Sequence, residues 1–460
     1  MKPGINIFCA FTLLMFGQNL FAQDSSFVIR EVVISGNVRT KNIVILREIP
    51  AHKNDNYCCP SELVQTTQNR LSGLQLFNLV NAKLIHDTLF ISVTEKYYVW
   101  VNPWLSWADR NFNVWWQSRD PKRLIYGGTL HWNNIMGKNH SAYATCIAGF
   151  NQIFEVGYAT PFPRGHSGWA FSGAAYFWSN HELWYKTENN KLQFLRLENQ
   201  VIQKNYGIRI TGKKRLNYFD RLEFTQGYAF LSVDSSIISA NSYFMLRDTF
   251  QHDFYGGVEY ISDHRDQRHY PTNGHLLRVG FGYNDLHSHG VRNTILSVGA
   301  RYSAFTPLKF VKHLVWVKYG ALRWSAGTLP YNYSRQLGYG SDYVRGYEPY
   351  VAEGQGFVLF KTGLRKAILY NRTVTLAGGQ KFAAYKKLPL SIWFNVFADA
   401  GKVLSPSPIQ NSGNTLDTQW QVGTGLGLDF VMWYNALIRA EYSFNRMQQG
   451  FFNIAYRNAF

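Results

Sequence analysis

The chain has 460 residues, of which 46% are apolar, 17% aromatic and only 17% charged, with a formal net charge of +18 at pH 7. That composition excludes a disordered chain and a collagen-like one, and it leaves ample length for a large folded domain. A basic surplus of this size favours anionic partners such as lipid head groups or lipopolysaccharide. Nucleic acid is not expected, because the lysines and arginines are scattered along the chain instead of gathered in one stripe.

Residues 1–22, "MKPGINIFCAFTLLMFGQNLFA", carry Lys2, an apolar core over 5–16 and Ala22 before Gln23, the layout of a secretory signal peptide. Export argues further against nucleic acid. Cys9 lies inside the apolar core, too early for lipid attachment, so ordinary cleavage is expected. Cys58, Cys59 and Cys146 then remain. Adjacent cysteines have α-carbons about 3.8 Å apart, below the usual disulfide range, and lack the spacing that lets two thiolates share one zinc ion. Neither a disulfide framework nor a metal site is expected, and no cofactor.

Beyond the signal peptide no run is long and apolar enough for a helical membrane span, which leaves a barrel open. Residues 27–36, "FVIREVVISG", read as a strand. Residues 40–49 read as a helix capped by Thr40, with Ile43, Ile45, Leu46 and Ile49 on one face, and 61–74 as a second helix capped by Ser61. Strands over 79–85 and 88–93 follow, joined by His86-Asp87. This order, with the text "LSGLQLFNLVNAKLIHDTLFISVTEK", resembles one polypeptide-transport-associated (POTRA) module, and residues 23–96 have room for one.

From residue 97 to 460 the texture is all-β: short alternating runs, many aromatics, and turn clusters such as "PFPRG" and "PTNG". At roughly 20–24 residues per membrane strand with its turn, the segment predicts a transmembrane antiparallel β-barrel of about 16 strands. In the closing stretch Phe452, Ile454, Tyr456 and Phe460 share one parity while Asn453 and Arg457 take the other, as for a strand with lipid outside and water inside. The first strand contains Asn102 and Pro103. Proline cannot donate a ladder hydrogen bond, so its seam with the last strand is expected to pair weakly.

One stretch carries a sharper signal. "LGYGSDYVRGY", residues 337–347, resembles the inward-folded loop of the BamA/TamA and two-partner-secretion superfamily, marked by Val-Arg-Gly-Phe/Tyr, here Val344, Arg345, Gly346 and Tyr347. The family's Phe-x-Asp-x-Gly strand is matched by Phe397, Asp399 and Gly401 in "VFADAGKV". The resemblance implies that Arg345 meets Asp399 inside the barrel, where its faces could stack on Tyr343 or Tyr347. Gly363 stands where many relatives place a second acidic partner, so the ion network expected is Arg345–Asp399 alone. Gly423, Gly425 and Gly427 on the next strand form a strip without side chains, expected to let the loop approach.

A second element, "DHRDQRHYPTNG", resembles the family's inter-strand periplasmic turn. Pro271 and Gly274 suit a tight turn, and Asp263, Arg265 and Asp266 can pin it; a solvated hairpin with surface ion pairs is an equal alternative. The resemblance implies an outer-membrane protein that assists insertion, assembly or translocation of polypeptides, with its POTRA module in the periplasm. Its partners would be unfolded outer-membrane or secreted polypeptides, envelope lipids and accessory envelope proteins. The alternative is a conduit for one secreted partner or a passive pore. An enzyme is not expected: "GHSG" at 165–168 is not a nucleophile elbow, and His287 and His289 have no clear third ligand.

Overall fold

The computed structural model describes residues 27–50, 56–57, 59–107, 121–163, 168–197, 200–375, 387–406, 413–432 and 436–458. The signal-peptide segment, Cys58, the His166-Ser167 part of "GHSG" and Phe460 lie outside the described residues. The chain separates into two units, residues 1–38 with 48–96, and residues 39–47 with 97–460.

In the smaller unit the leading strand is broken into β1 (Phe27–Val28) and β2 (Glu31–Ser35). After α1 (Asn42–Leu46) come β3 (Asn56–Tyr57), α2 (Pro60–Gly73), β4 (Phe77–Ile85) and β5 (Thr88–Glu95). β2 runs parallel to β5, which pairs antiparallel with β4. Leu63, Thr67 and Leu71 are the buried residues of α2, spaced four apart so that they fall on one face. Both expected caps differ from the structure. Helix α2 starts at Pro60 behind Cys59, because proline's fixed φ and missing N–H suit the first turn. Helix α1 starts behind Lys41 and belongs to the larger unit. Thr40 is buried instead, its hydroxyl 2.7 Å from the Tyr98 hydroxyl and 2.9 Å from the Asn134 amide that donates to it.

The larger unit is a closed sheet. Its strands are β6 (Val99–Trp107), β7 (Leu124–Ile135), β8 (His140–Gly149), β9 (Gln152–Ala159), β10 (Trp169–Asn180), β13 (Gln203–Arg215), β14 (Asp220–Val233), β15 (Phe250–Asp263) and β16 (Gly274–Ser288). It continues with β17 (Val291–Pro307), β18 (Leu314–Ala326), β19 (Arg335–Leu337), β20 (Ala352–Thr375), β21 (Lys387–Pro406), β22 (Gln421–Val431), β23 (Ala436–Asn445) and β24 (Gly450–Asn458), which neighbours β6. A separate hairpin, β11 (Glu182–Glu188) with β12 (Lys191–Arg196), is inserted between β10 and β13. β19 is a short piece of a loop laid on β20, whose wall neighbour is β18, so among the described residues sixteen strands go round. With an even number of antiparallel strands, β6 begins and β24 ends at the same rim, called here the terminus end; the other rim is the loop end.

Period-two alternation sorts the two faces. Val101, Phe360, Leu364, Val396, Leu426, Phe452 and Ile454 point outward and are exposed, whereas Asn395, Asp399, Asp429, Glu441 and Ser443 on the opposite parity are buried in the lumen. An apolar exterior around a polar interior is the inverse of a water-soluble sandwich. It requires hydrocarbon outside.

Candidate functional site

The loop between β18 and β20 enters the lumen from the loop end, and its apolar residues Leu337, Val344 and Tyr347 pack with Phe357, Leu359 and Val403 of β20 and β21 into one buried cluster. This packing carries Arg345 to the wall. Its Nε and Nη2 donate to the two carboxylate oxygens of Asp399 at 2.8 and 2.7 Å, and its backbone N–H donates to the same carboxylate at 3.2 Å. Nη1 donates at 3.0 Å to Glu441 on β23, a partner absent from the sequence reading. Side-chain exposure is 15% for Arg345, 0% for Asp399 and 5% for Glu441, so water screens these pairs little. Glu441 compensates for the glycine at 363: it approaches from the next strand but one, a register relation that chain order does not reveal.

The ring against the guanidinium is Phe397, with its centroid 3.5 Å from Cζ, and not either tyrosine. Tyr343 instead lies beneath Lys361, and Tyr347 meets Tyr350 edge-on. The three glycines of β22 also divide their work. A Cβ on Gly423 would lie 1.8 Å from the Arg345 carbonyl oxygen, so Gly423 admits the loop backbone. On Gly425 it would meet the Phe397 ring at 2.6 Å, and on Gly427 the Glu441 Cγ at 2.8 Å. The strip thus makes room for the loop, the stacked ring and the second carboxylate in turn. Gly401 leaves space for Val344, and Gly346 holds φ +90°, a left-handed conformation that favours glycine. The Asn445 amide donates to the Gly346 carbonyl at 2.9 Å, and the Tyr350 hydroxyl to Gln449 at 2.9 Å, so the loop also touches the turn leading into β24.

The turn between β15 and β16 is more than a solvated hairpin. Arg265 grips Asp263 through two bonds at 2.7 and 2.8 Å, Asp266 accepts from the Thr272 N–H and hydroxyl, and Gly274 adopts φ +96°. Pro271 follows Tyr270, which is buried: its hydroxyl donates at 2.8 Å to Asp429 on β22, and its ring lies 5.3 Å from Trp393 and 4.8 Å from the Arg365 guanidinium. Burial, with Asp429 beside it, holds the Tyr270 phenol above its ordinary range, so at neutral pH it remains a donor. Asp429 is also held by Arg439 at 2.7 and 3.0 Å, and Arg439 reaches Glu441 at 3.7 Å. A continuous line of charge therefore runs down the inner wall of β20 to β23, from the loop lock to the turn at the terminus end. Tyr270 lies inside the turn segment that the sequence singled out, but only its charged neighbours, Pro271 and Gly274 were named there; an aromatic beside a proline in a turn was its one trace.

At the seam, Asn102 faces the lumen and Pro103 faces outward opposite Gly128, in a strand exposed on both faces from 101 to 105. Asn102 lies 3.3 Å from His131. Phe452 and Ile454 are exposed outward, and the Tyr456 backbone pairs with Ile438. His287 and His289 engage different carboxylates, Asp285 at 3.0 Å and Asp248.

Together these features define a class: a membrane-embedded sixteen-strand barrel whose lumen is occupied by one of its own loops, fastened through an arginine. The Omp85 superfamily domain matches residues 134–450, more than half of the chain, and the chain belongs to that superfamily of outer-membrane β-barrels concerned with protein insertion and transport. Among solved structures, BamA from Haemophilus ducreyi lacking POTRA domains 1–3 is similar at 13% identity and TM-score 0.53, over 94% of this chain and 85% of that one. CdiB from Escherichia coli is similar at 11% identity and TM-score 0.48, over 95% and 91%. No curated protein matches the chain.

Proposed function

We propose that this protein assists the insertion, assembly or translocation of polypeptides at the bacterial outer membrane by opening the seam between β6 and β24, and that residues 23–96 form a POTRA module receiving clients in the periplasm. The observation that carries this reading is the placement of the fastenings. The loop is tied to β21, β23 and the turn before β24, while β6 has only nine residues with Pro103 at their centre. A strand that lacks a donor in mid-ladder separates more readily from its neighbour. The freed edge can template a client strand by backbone pairing, which needs no catalytic residue and no chemical energy.

The test is a set of cysteine pairs placed along β6 and β24 in a chain whose Cys58, Cys59 and Cys146 are replaced by serine. Oxidation is expected to abolish support for client assembly, read from the outer-membrane proteome of a depletion strain, and reduction to restore it. Client assembly unchanged by the locked seam rules out seam opening. The lumen loop also favours a closed barrel over a passive pore, so a large steady conductance in planar bilayers counts for the conduit reading.

A further inference from the structure

The basic residues are spread along the chain, but the acidic ones are not. Residues 286–341 and 354–398 contain fourteen lysines and arginines and no aspartate or glutamate, so they supply fourteen of the eighteen net positive charges. The fold sets these stretches side by side: β18 pairs with β20 from Leu314↔Lys366 to Trp324↔Gly356, and β20 pairs with β21. At the terminus end of this wall, the turn after β17 presents Lys309 and Lys312 on either side of Phe310, which is 78% exposed. Lys366 donates to the Lys312 carbonyl, and the Lys318 Nζ sits 4.3 Å from the centroid of the outward Trp316 ring.

The four carboxylates that flank these stretches are already engaged, Asp285 by Arg292, Asp342 by Arg301, Asp399 by Arg345, and Glu353 by the Thr187 and Tyr339 hydroxyls. Among the described residues Lys309, Lys312, Lys318 and Lys366 enter no ion pair. At two other places on the same end cations are neutralised locally, Arg265 by Asp263 and Arg221 by Glu223. A run of lysines on a soluble protein would simply be solvated. Here they border an outward band that includes Trp316, Leu322, Phe360 and Leu364. Lysine stems lie along such apolar surface and place their ammonium groups at head-group depth, where aromatic rings also settle.

We infer that this rim is a docking surface for the phosphate groups of anionic phospholipids in the leaflet at the terminus end. The choice of leaflet rests on the proposed periplasmic placement of that end. The charge complementarity is specific: four cationic groups without carboxylate partners face a layer whose anionic members carry phosphodiesters.

The full chain, reconstituted in phosphatidylcholine nanodiscs with or without equal amounts of phosphatidylglycerol and lipid A, is extracted in mild detergent, and its retained lipids are identified by native mass spectrometry. Phosphatidylglycerol is expected to be enriched about tenfold over phosphatidylcholine. The K309Q/K312Q/K318Q variant should lose most of that enrichment, and the matched K186Q/K191Q/K204Q variant should keep it. Folding is checked by the heat-dependent gel shift of the barrel, and if K318Q impairs it, K309Q/K312Q in the turn alone carries the comparison. Absence of enrichment on the unmodified chain, or enrichment indifferent to the rim lysines, overturns the proposal. Preferential retention of lipid A overturns it too, by placing the rim in the other leaflet, while the seam reading stands or falls separately by its cysteine cross-links.

Discussion

Two walls of one barrel are held together by different physics. Along β20 to β23 the lumen side is packed solid: Leu359 and Asp429 are fully buried, and the carboxylates there meet guanidinium groups in a dry, aromatic-lined setting. Along β6 to β9 the inner face meets open lumen, with Trp104 54% exposed, and the strands have nine, 12, ten and eight residues, against 24 in β20 and 20 in β21, though β22 and β23 have 11 and ten. The first wall is fixed by side chains at several levels. The second relies on its backbone ladder. Under the proposed seam opening, the back stays fixed and the front separates, because the bonds lost there would involve few buried side chains.

The comparison breaks most directly at Arg345. In Arg345→Ala, Asp399 and Glu441 lose the cation between them while remaining buried, and the expected cost is about 3–5 kcal/mol of barrel stability in urea titrations of the detergent-folded protein. Removing Asp399 as well should cost less than the sum of the two single changes, since the stranded charge goes with it. Arg345→Lys should recover only part of the loss, because an ammonium group cannot span both Asp399 oxygens and Glu441 together. A loss below 1 kcal/mol for Arg345→Ala would mean that the packed wall is held by its apolar cluster alone.

The same contrast explains what was legible in the sequence. The barrel, its strand number and its outward parity could be read because a period of two with lipid on one side imposes a pattern on every strand, as in Phe452 and Ile454. Arg345 and Asp399 were legible through a resembling motif, which encodes which residues meet without encoding what surrounds them. Glu441, Phe397 as the stacking ring, and Tyr270 on Asp429 were not, since each contact depends on register across two or more strands or on a turn folding back into the lumen. The helix starts were misread for a local reason: Thr40 and Ser61 are good caps, but Thr40 is bound to Tyr98 and Asn134, and Pro60 starts α2 one residue early.

A smaller effect is expected from Gly423→Ala, which sharpens the comparison by adding volume to the packed wall without touching charge. The new methyl would overlap the Arg345 carbonyl, and backbone cannot swing aside as a side-chain tip can. The loop should shift away from β22, with a loss of about 1–3 kcal/mol. It should also raise the rate at which a cysteine placed at Ser341 reacts with a water-soluble maleimide. An unchanged rate would show that the loop tolerates displacement and is not seated by this glycine.

The smallest effect belongs to the open wall. Arg209 on β13 approaches Glu155 on β9 at 3.8 Å, with side chains 48% and 28% exposed, and Glu155 also accepts from the Tyr143 hydroxyl. Here the ions keep most of their water, so Arg209→Gln should change stability by about 0–1 kcal/mol. Any difference should fade as salt is raised, because exposed pairs are screened over a Debye length of about 8–10 Å. The two arginines differ in both range and hydration: Arg345 bonds directly to buried carboxylates at 2.7 to 3.0 Å, whereas Arg209 stands 3.8 Å from a partly exposed one. If Arg209→Gln cost as much as Arg345→Ala, burial and direct bonding would not be what distinguishes the back of the barrel from its front, and the strength of the loop lock would need another source.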